Sequence, residues 1–240
     1  AHALPLLRKF ALPAVLFCAA DAIDRHEGFY QERLVSAWLR GRLANDVLQS
    51  LWRDAGVPSG EVPADATLPE SVRSLVARLQ AIEPGKRARL LEPLAADLHE
   101  ESRQMLTAAE LRSLAAAGVG IGTHGRQHEP LTRVANLPAE LRDARRMVAQ
   151  SAGMQEDRVV TLSFPFSKQD AGVVREAHAA GYVLLFGGGL TLAPVLPRVP
   201  RLVPRVGITA GPVQDAGGNL RPDMLAAYLF RRPIAVLQPG

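Results

Sequence analysis

Two histidines four positions apart, His124 and His128, are the side chains with the most chemical potential in this 240-residue chain. Neutral imidazole suits zinc and its first-row neighbours, and two rings at this spacing face one point if the intervening loop turns helically. Two ligands do not complete a site. A catalytic zinc takes three protein groups and keeps one position for water, so a third ligand has to come from elsewhere. The alternative is a pair of polar loop histidines that hold no metal.

The elements around the pair say where it sits. Thr107 followed by Glu110 is a capping-box pattern, with Leu106, Leu111 and Leu114 at helical spacing behind it. Gly118 stops that helix, and Val119-Gly-Ile121-Gly is an apolar run of strand length. The histidines therefore follow the carboxyl end of a strand, where parallel α/β folds place their chemistry. The spacing also invites comparison with HExxH of metalloproteases. Gly125 stands where that motif needs its glutamate, which excludes the comparison.

The run Gly120-Ile-Gly-Thr-His124-Gly-Arg-Gln-His128-Glu-Pro-Leu131-Thr resembles the histidine motif of the NodB-like polysaccharide deacetylases. Two further segments resemble that family in the same order: Ala3 to Phe17 looks like its helix and second strand, and Leu162-Ser-Phe164-Pro165-Phe166-Ser like its aromatic-proline loop. The resemblance spans most of the chain outside residues 28–104. It implies a distorted (β/α) barrel and hydrolysis of N-acetyl groups on a polysaccharide or peptidoglycan. It further implies a divalent metal, zinc or cobalt, on His124 and His128, and a substrate groove lined by Phe164, Pro165 and Phe166. In the family an aspartate pair ends the first strand, one as metal ligand and one as base. That strand is expected immediately before Ala1, so the barrel here is expected to be incomplete at its N-terminus. The family arginine ahead of the aromatic-proline loop is missing, as is its C-terminal histidine acid. A cell-envelope or extracytoplasmic setting is implied in the same way.

Composition leaves few other classes open. The chain is 48% hydrophobic and 22% charged, ordinary for a globular domain, with a net charge of only +4. Only three of its 28 basic residues are lysines, and the arginines are spread over many helices, which reads as solvated faces and no nucleic-acid footprint. Cys18 is the only cysteine, so neither an internal disulfide nor a cysteine zinc cluster can form. No apolar run is long enough to span a bilayer, and no charged-then-apolar leader opens the chain.

Strands are predicted near 14–20, 119–122, 159–164, 182–186, 205–208 and 233–237, mostly separated by helices, which points to an α/β barrel. Residues 28–104 carry helical apolar stripes, among them Val72, Leu75 and Leu79, and read as a helical insertion that supplies no metal ligand. Asp21, Asp24, His26 and Glu27 follow the first strand at the ligand-binding end, although a polar loop has that composition anyway. Arg142, Arg145 and Arg146 fall on the expected wet face of a helix over 137–150, and Gly187-Gly-Gly189 lacks the spacing of a phosphate loop. A second reading from another class is a catalytically silent barrel that binds glycan or a partner protein.

Overall fold

The computed structural model describes residues 3–188, 202–208 and 211–232, which fall into two compact units: Ala1–Asp24 with Leu106–Gly240, and Arg25–Met105. The first unit holds helix α1 (Ala3–Lys9), strand β1 (Val15–Cys18) and, after the second unit, the rest of a parallel sheet: β2 (Gly120–Thr123), β3 (Thr161–Ser163), β4 (Leu184–Phe186) and β5 (Leu202–Val203). The second unit contains helices α2 (Tyr30–Leu39), α3 (Asn45–Asp54), α4 (Pro69–Ala81) and α5 (Pro84–Leu91). Helices α6 (Ala108–Ala116), α7 (Leu137–Ala152) and α8 (Ala171–Ala179) alternate with the strands, and α9 (Pro222–Phe230) follows them.

The strands lie side by side in chain order, β1-β2-β3-β4-β5, and every pair is parallel. A doubly wound sheet reverses its strand order at a switch point; a barrel does not. This sheet has no reversal. It is also curled. Three strand spacings put β1 and β4 about 14 Å apart on a flat sheet, yet the rings of Phe17 on β1 and Phe186 on β4 have centroids 5.0 Å apart. The two aromatics meet over Gly122 of β2, where a Cβ would come within 2.8 Å of the Phe17 ring and 2.3 Å of Thr161 Oγ1. Only glycine leaves the concave face that room.

The opposite face packs on helices. Ile121 and Cys18 join Leu111 of α6 and Ala144, Val148 and Ala152 of α7, while Leu162 and Leu185 join Leu141, Val173, Ala177 and Tyr182. Burial pushes the Cys18 thiol up to about 11, so it behaves as a small apolar side chain. Local signals set the helix ends. Thr107 and Glu110 form the reciprocal capping box of α6, and Gly153, with φ of 66°, closes α7 in the left-handed conformation.

The fifth strand departs from expectation. The sequence pattern predicts it at 205–208, after the prolines of 197–204, but it forms at Leu202–Val203, ahead of Pro204. Two residues suffice to pair with β4, and Gly187 N donates to Val203 O at 3.0 Å. The strand expected near 233–237 lies outside the described residues. Arg145 departs as well: its guanidinium donates to Val159 O at 2.9 Å and Ala180 O at 3.0 Å, satisfying loop carbonyls instead of facing water.

Within Arg25–Met105 the helices bury a core of their own, with Leu34, Leu48, Leu75, Leu79 and Leu98 almost fully enclosed. Its two ends are tied together, because Gln104 N donates to His26 O at 2.8 Å and Gly28 N to the buried Glu100 carboxylate at 3.1 Å. In the other unit, Asp24 N donates to Leu106 O at 2.9 Å. Chain departure and return are therefore adjacent, which lets an insertion of this size leave the sheet register undisturbed.

One buried contact fastens sheet to helix beneath the histidine loop. Tyr182 OH accepts from Thr123 Oγ1 at 2.9 Å and donates to Leu141 O at 3.0 Å, all three residues being fully buried. Tyr182→Phe strands the buried Thr123 hydroxyl and removes the second hydrogen bond to Leu141 O, and is expected to lower unfolding free energy by about 1–3 kcal/mol in urea titrations. A change of a few tenths would show that the hydroxyl does not fasten these elements.

Candidate functional site

The loop after β2 is held at many points. His124 N donates to Cys18 O at 2.7 Å, Ala20 N to Gly125 O at 3.1 Å and Asp21 N to Arg126 O at 2.9 Å, so backbone pairing with the β1 end continues past the strands. Glu140, in the first turn of α7 and 8% exposed, accepts from Arg126 N at 2.7 Å and Gln127 N at 3.4 Å. Gly125 and His128 both adopt left-handed backbone, with φ of 72° and 59°. For a histidine that conformation is uncommon and needs such anchoring.

The two rings end up as neighbours, with centroids 5.0 Å apart and planes inclined by 40°. Two imidazoles on one tetrahedral ion, each nitrogen at about 2.0–2.1 Å, place their ring centres about 5 Å apart, so the spacing fits two ligands of a single metal. The tautomer fits too. His124 Nδ1 lies 2.6 Å from Ser163 O, and a carbonyl only accepts; Nδ1 carries the proton and the Nε2 lone pair is left for a ligand. Burial lowers the pKa of His124, with the Ser163 carbonyl opposing it and Arg205 adding to it. His128 is pushed down to about 4 by burial and by His124. Both rings are neutral at pH 7, the form that binds metal.

A third ligand is not assembled. Among the described residues no group of three His, Cys, Asp or Glu side chains is placed to share an ion. Asp21 is engaged by Arg126 Nε at 3.0 Å, and Asp24 Oδ1 accepts from Ala108 N at 2.9 Å at the start of α6. The segments outside the described residues contain no Asp, Glu or Cys, and His2 is their only histidine. The residues present thus fit two positions of a metal site and leave the third open.

The aromatic-proline loop divides its residues between core and site. Phe164 is fully buried beside Leu131, Leu162 and Val173, and Pro165 is buried as well. Phe166 is half-buried and its ring lies 4.8 Å from the His128 ring. Arg205, which follows the proline-rich stretch 197–204, reaches this loop: Nε donates to Gly187 O at 3.0 Å, and Nη2 to Phe164 O at 3.3 Å and Ser167 Oγ at 3.2 Å. Nothing local to residues 197–208 signals that reach, which depends on β5 pairing with β4.

An all-parallel sheet without reversal, with two neutral imidazoles in the loop after β2, defines an α/β scaffold of the barrel class with a candidate site at the carboxyl end of a strand. The chain belongs to the polysaccharide deacetylase family, whose profile matches residues 1–185. Solved structures similar to it include a polysaccharide deacetylase from Bacillus cereus, at 15% identity over 60% of this chain and 48% of that one, with a TM-score of 0.40. A Streptococcus pyogenes deacetylase in complex with acetate is 12% identical over 60% of this chain and 64% of that one, TM-score 0.42. A de-N-acetylase from Aggregatibacter actinomycetemcomitans is 13% identical over 90% of this chain and 97% of that one, TM-score 0.39. The chain spans about half the length of the Bacillus cereus protein. No curated protein matches the sequence.

The depressed histidines make a signed prediction for the metal-free protein. Below the ordinary imidazole value of 6.5 the unfolded chain takes up protons that folded His128 refuses until about pH 4. Their contribution to stability is whole above about pH 6.5 and drains away as the pH falls toward 4. Between pH 7 and 4.5, His128→Gln should lose about 2 kcal/mol less unfolding free energy than wild type, read from urea titrations. Equal losses in both proteins would show that His128 is not held neutral.

Proposed function

We propose that this chain carries the histidine half of the metal site of a polysaccharide N-deacetylase, acting on an N-acetylated polysaccharide or peptidoglycan and releasing acetate. The observation that carries the reading is the His124–His128 pair, 5.0 Å between ring centres with the His124 tautomer set by Ser163 O, in a chain of this family. A divalent ion such as zinc or cobalt, when bound, supplies Lewis acidity toward an acetamide carbonyl and makes water nucleophilic near neutral pH.

The chain's own residues do the positioning. Ser163 O orients His124, and burial keeps His128 unprotonated. Phe166 covers one side of His128 and offers an apolar face to a sugar ring at the strand ends. Deacetylation also needs a base to take a proton from water and an acid to protonate the leaving amine. Asp21 and Asp24 are committed to Arg126 and to α6, so this reading requires the third ligand and the base from an aspartate pair outside residues 1–240. The same incompleteness favours the second reading, a catalytically silent barrel that binds glycan or a partner protein.

Metal analysis and an acetate assay separate the two readings. The 240-residue chain should hold zinc or cobalt weakly and release acetate from chitin oligomers or peptidoglycan at background rates, since a missing base alone costs about 10² to 10⁴. Extending the protein through its natural upstream sequence should restore metal retention and acetate release together, and His124→Ala should abolish both. If the extended protein neither holds metal nor releases acetate, the silent barrel stands. If the unextended chain is active and loses activity on His124→Ala, the base lies within these residues, with Asp21 and Asp24 the first to test.

A further inference from the structure

We infer that Arg205 is a positioning residue that holds the Phe164–Ser167 loop in a strained shape and thereby sets Phe166 against His128. The reading deepens the proposed function by naming what fixes the substrate-facing side of the site. Its geometry stands without any metal. Arg205 Nε donates to Gly187 O past the end of β4, and Nη2 donates to Phe164 O past the end of β3 and to Ser167 Oγ. One planar fork thus bridges two strand ends and the loop between β3 and α8, which a lysine, with a single nitrogen, cannot do.

The loop needs that hold. Phe166 and Ser167 both sit in the left-handed region, with φ of 54° and 57°, a conformation L-residues with a Cβ avoid and which persists only where surroundings enforce it. Phe164 and Pro165 are anchored by burial, whereas Phe166 and Ser167, the two residues in that conformation, are not buried. Phe164 N donates to Phe186 O of β4 at 3.0 Å and fixes the loop's start, but beyond it the backbone bonds, Ser167 N to Phe164 O and Lys168 N to Pro165 O, both at 3.1 Å, are internal to the turn. Phe164 O therefore accepts from Ser167 N and from Arg205, and Ser167 Oγ accepts from Arg205. Phe166 carries the consequence to the site, because its ring lies 4.8 Å from that of His128.

Proton NMR of the histidine rings in the metal-free protein tests this directly. The Phe166 ring shifts the His128 ring protons, and Phe166→Leu defines their positions without that ring. Arg205→Ala and Arg205→Lys should both move the His128 signals most of the way to the Phe166→Leu positions. The His178 signals should stay in place, since its Nδ1 contact with Tyr182 O at 2.8 Å reports the packing of α8. Tryptic cleavage after the exposed Lys168 should rise about tenfold as the loop opens. Adding Ser167→Gly to Arg205→Ala should return the His128 signals part of the way, because glycine takes the left-handed backbone freely and the hydroxyl has already lost its donor. Unmoved His128 signals in either Arg205 variant, or no return with Ser167→Gly, overturn the assignment. None of these readouts uses metal or substrate, so their failure is distinct from failure of the deacetylase reading.

Discussion

His124 is held from both sides by neighbouring strands, and the site depends on that grip. Its backbone nitrogen donates to Cys18 O of β1 at 2.7 Å, and its ring Nδ1 lies 2.6 Å from Ser163 O of β3. Both acceptors are strand-end carbonyls with no further ladder partner in that direction, so His124 satisfies groups that would otherwise be buried and unpaired. The histidine loop in effect extends the sheet by one residue on each flank. A ring fixed this way has lost most of its rotational freedom before any ligand arrives, which is the condition for a preorganised site.

The sheet that carries this grip is curled. With Phe17 and Phe186 meeting over Gly122, the concave face is narrow and the strand ends converge. Along β3 the residues alternate, Leu162 into the helical layer, Thr161 and Ser163 toward the concave side. The hydroxyls of Thr161 and Ser163 are buried without a hydrogen-bond partner among the described residues. Buried hydroxyls are usually paired, so an inner face that keeps two open is one whose polar complement includes more than the described side chains.

What the sequence made legible follows the range of the interaction. The capping box of Thr107 and Glu110, the helix stop at Gly118 and the left-handed close at Gly153 are local, and each lies where its residue type demands. The histidine spacing was equally readable, since the loop between the two rings is short. Arg145 and Arg205 were not. Each looks like a solvated arginine in its own segment, and each instead satisfies carbonyls on elements 14 to 41 residues away. β5 shows the same limit: prolines argue against a strand by propensity, but a two-residue segment ahead of Pro204 pairs because β4 offers it an edge.

In the proposed metal site, charge decides what kind of group would complete it. Burial that keeps His124 and His128 unprotonated penalises any positive charge between them, and a divalent ion carries two. Arg205 adds to that penalty, since its charge already disfavours protonation of His124. Two neutral imidazoles donate lone pairs but cancel no charge. At separations of about 4 Å and an effective dielectric of 20, each pair of opposite unit charges contributes about 4 kcal/mol. A carboxylate ligand therefore does far more for such an ion than a third imidazole would. Two acidic side chains that contact the histidine loop are already engaged: Asp21 neutralises Arg126, and Glu140 holds the loop backbone at Arg126 N and Gln127 N. Withdrawing either would loosen the loop that presents the histidines, so the anion that the proposed metal site calls for would be one that the histidine loop does not already depend on.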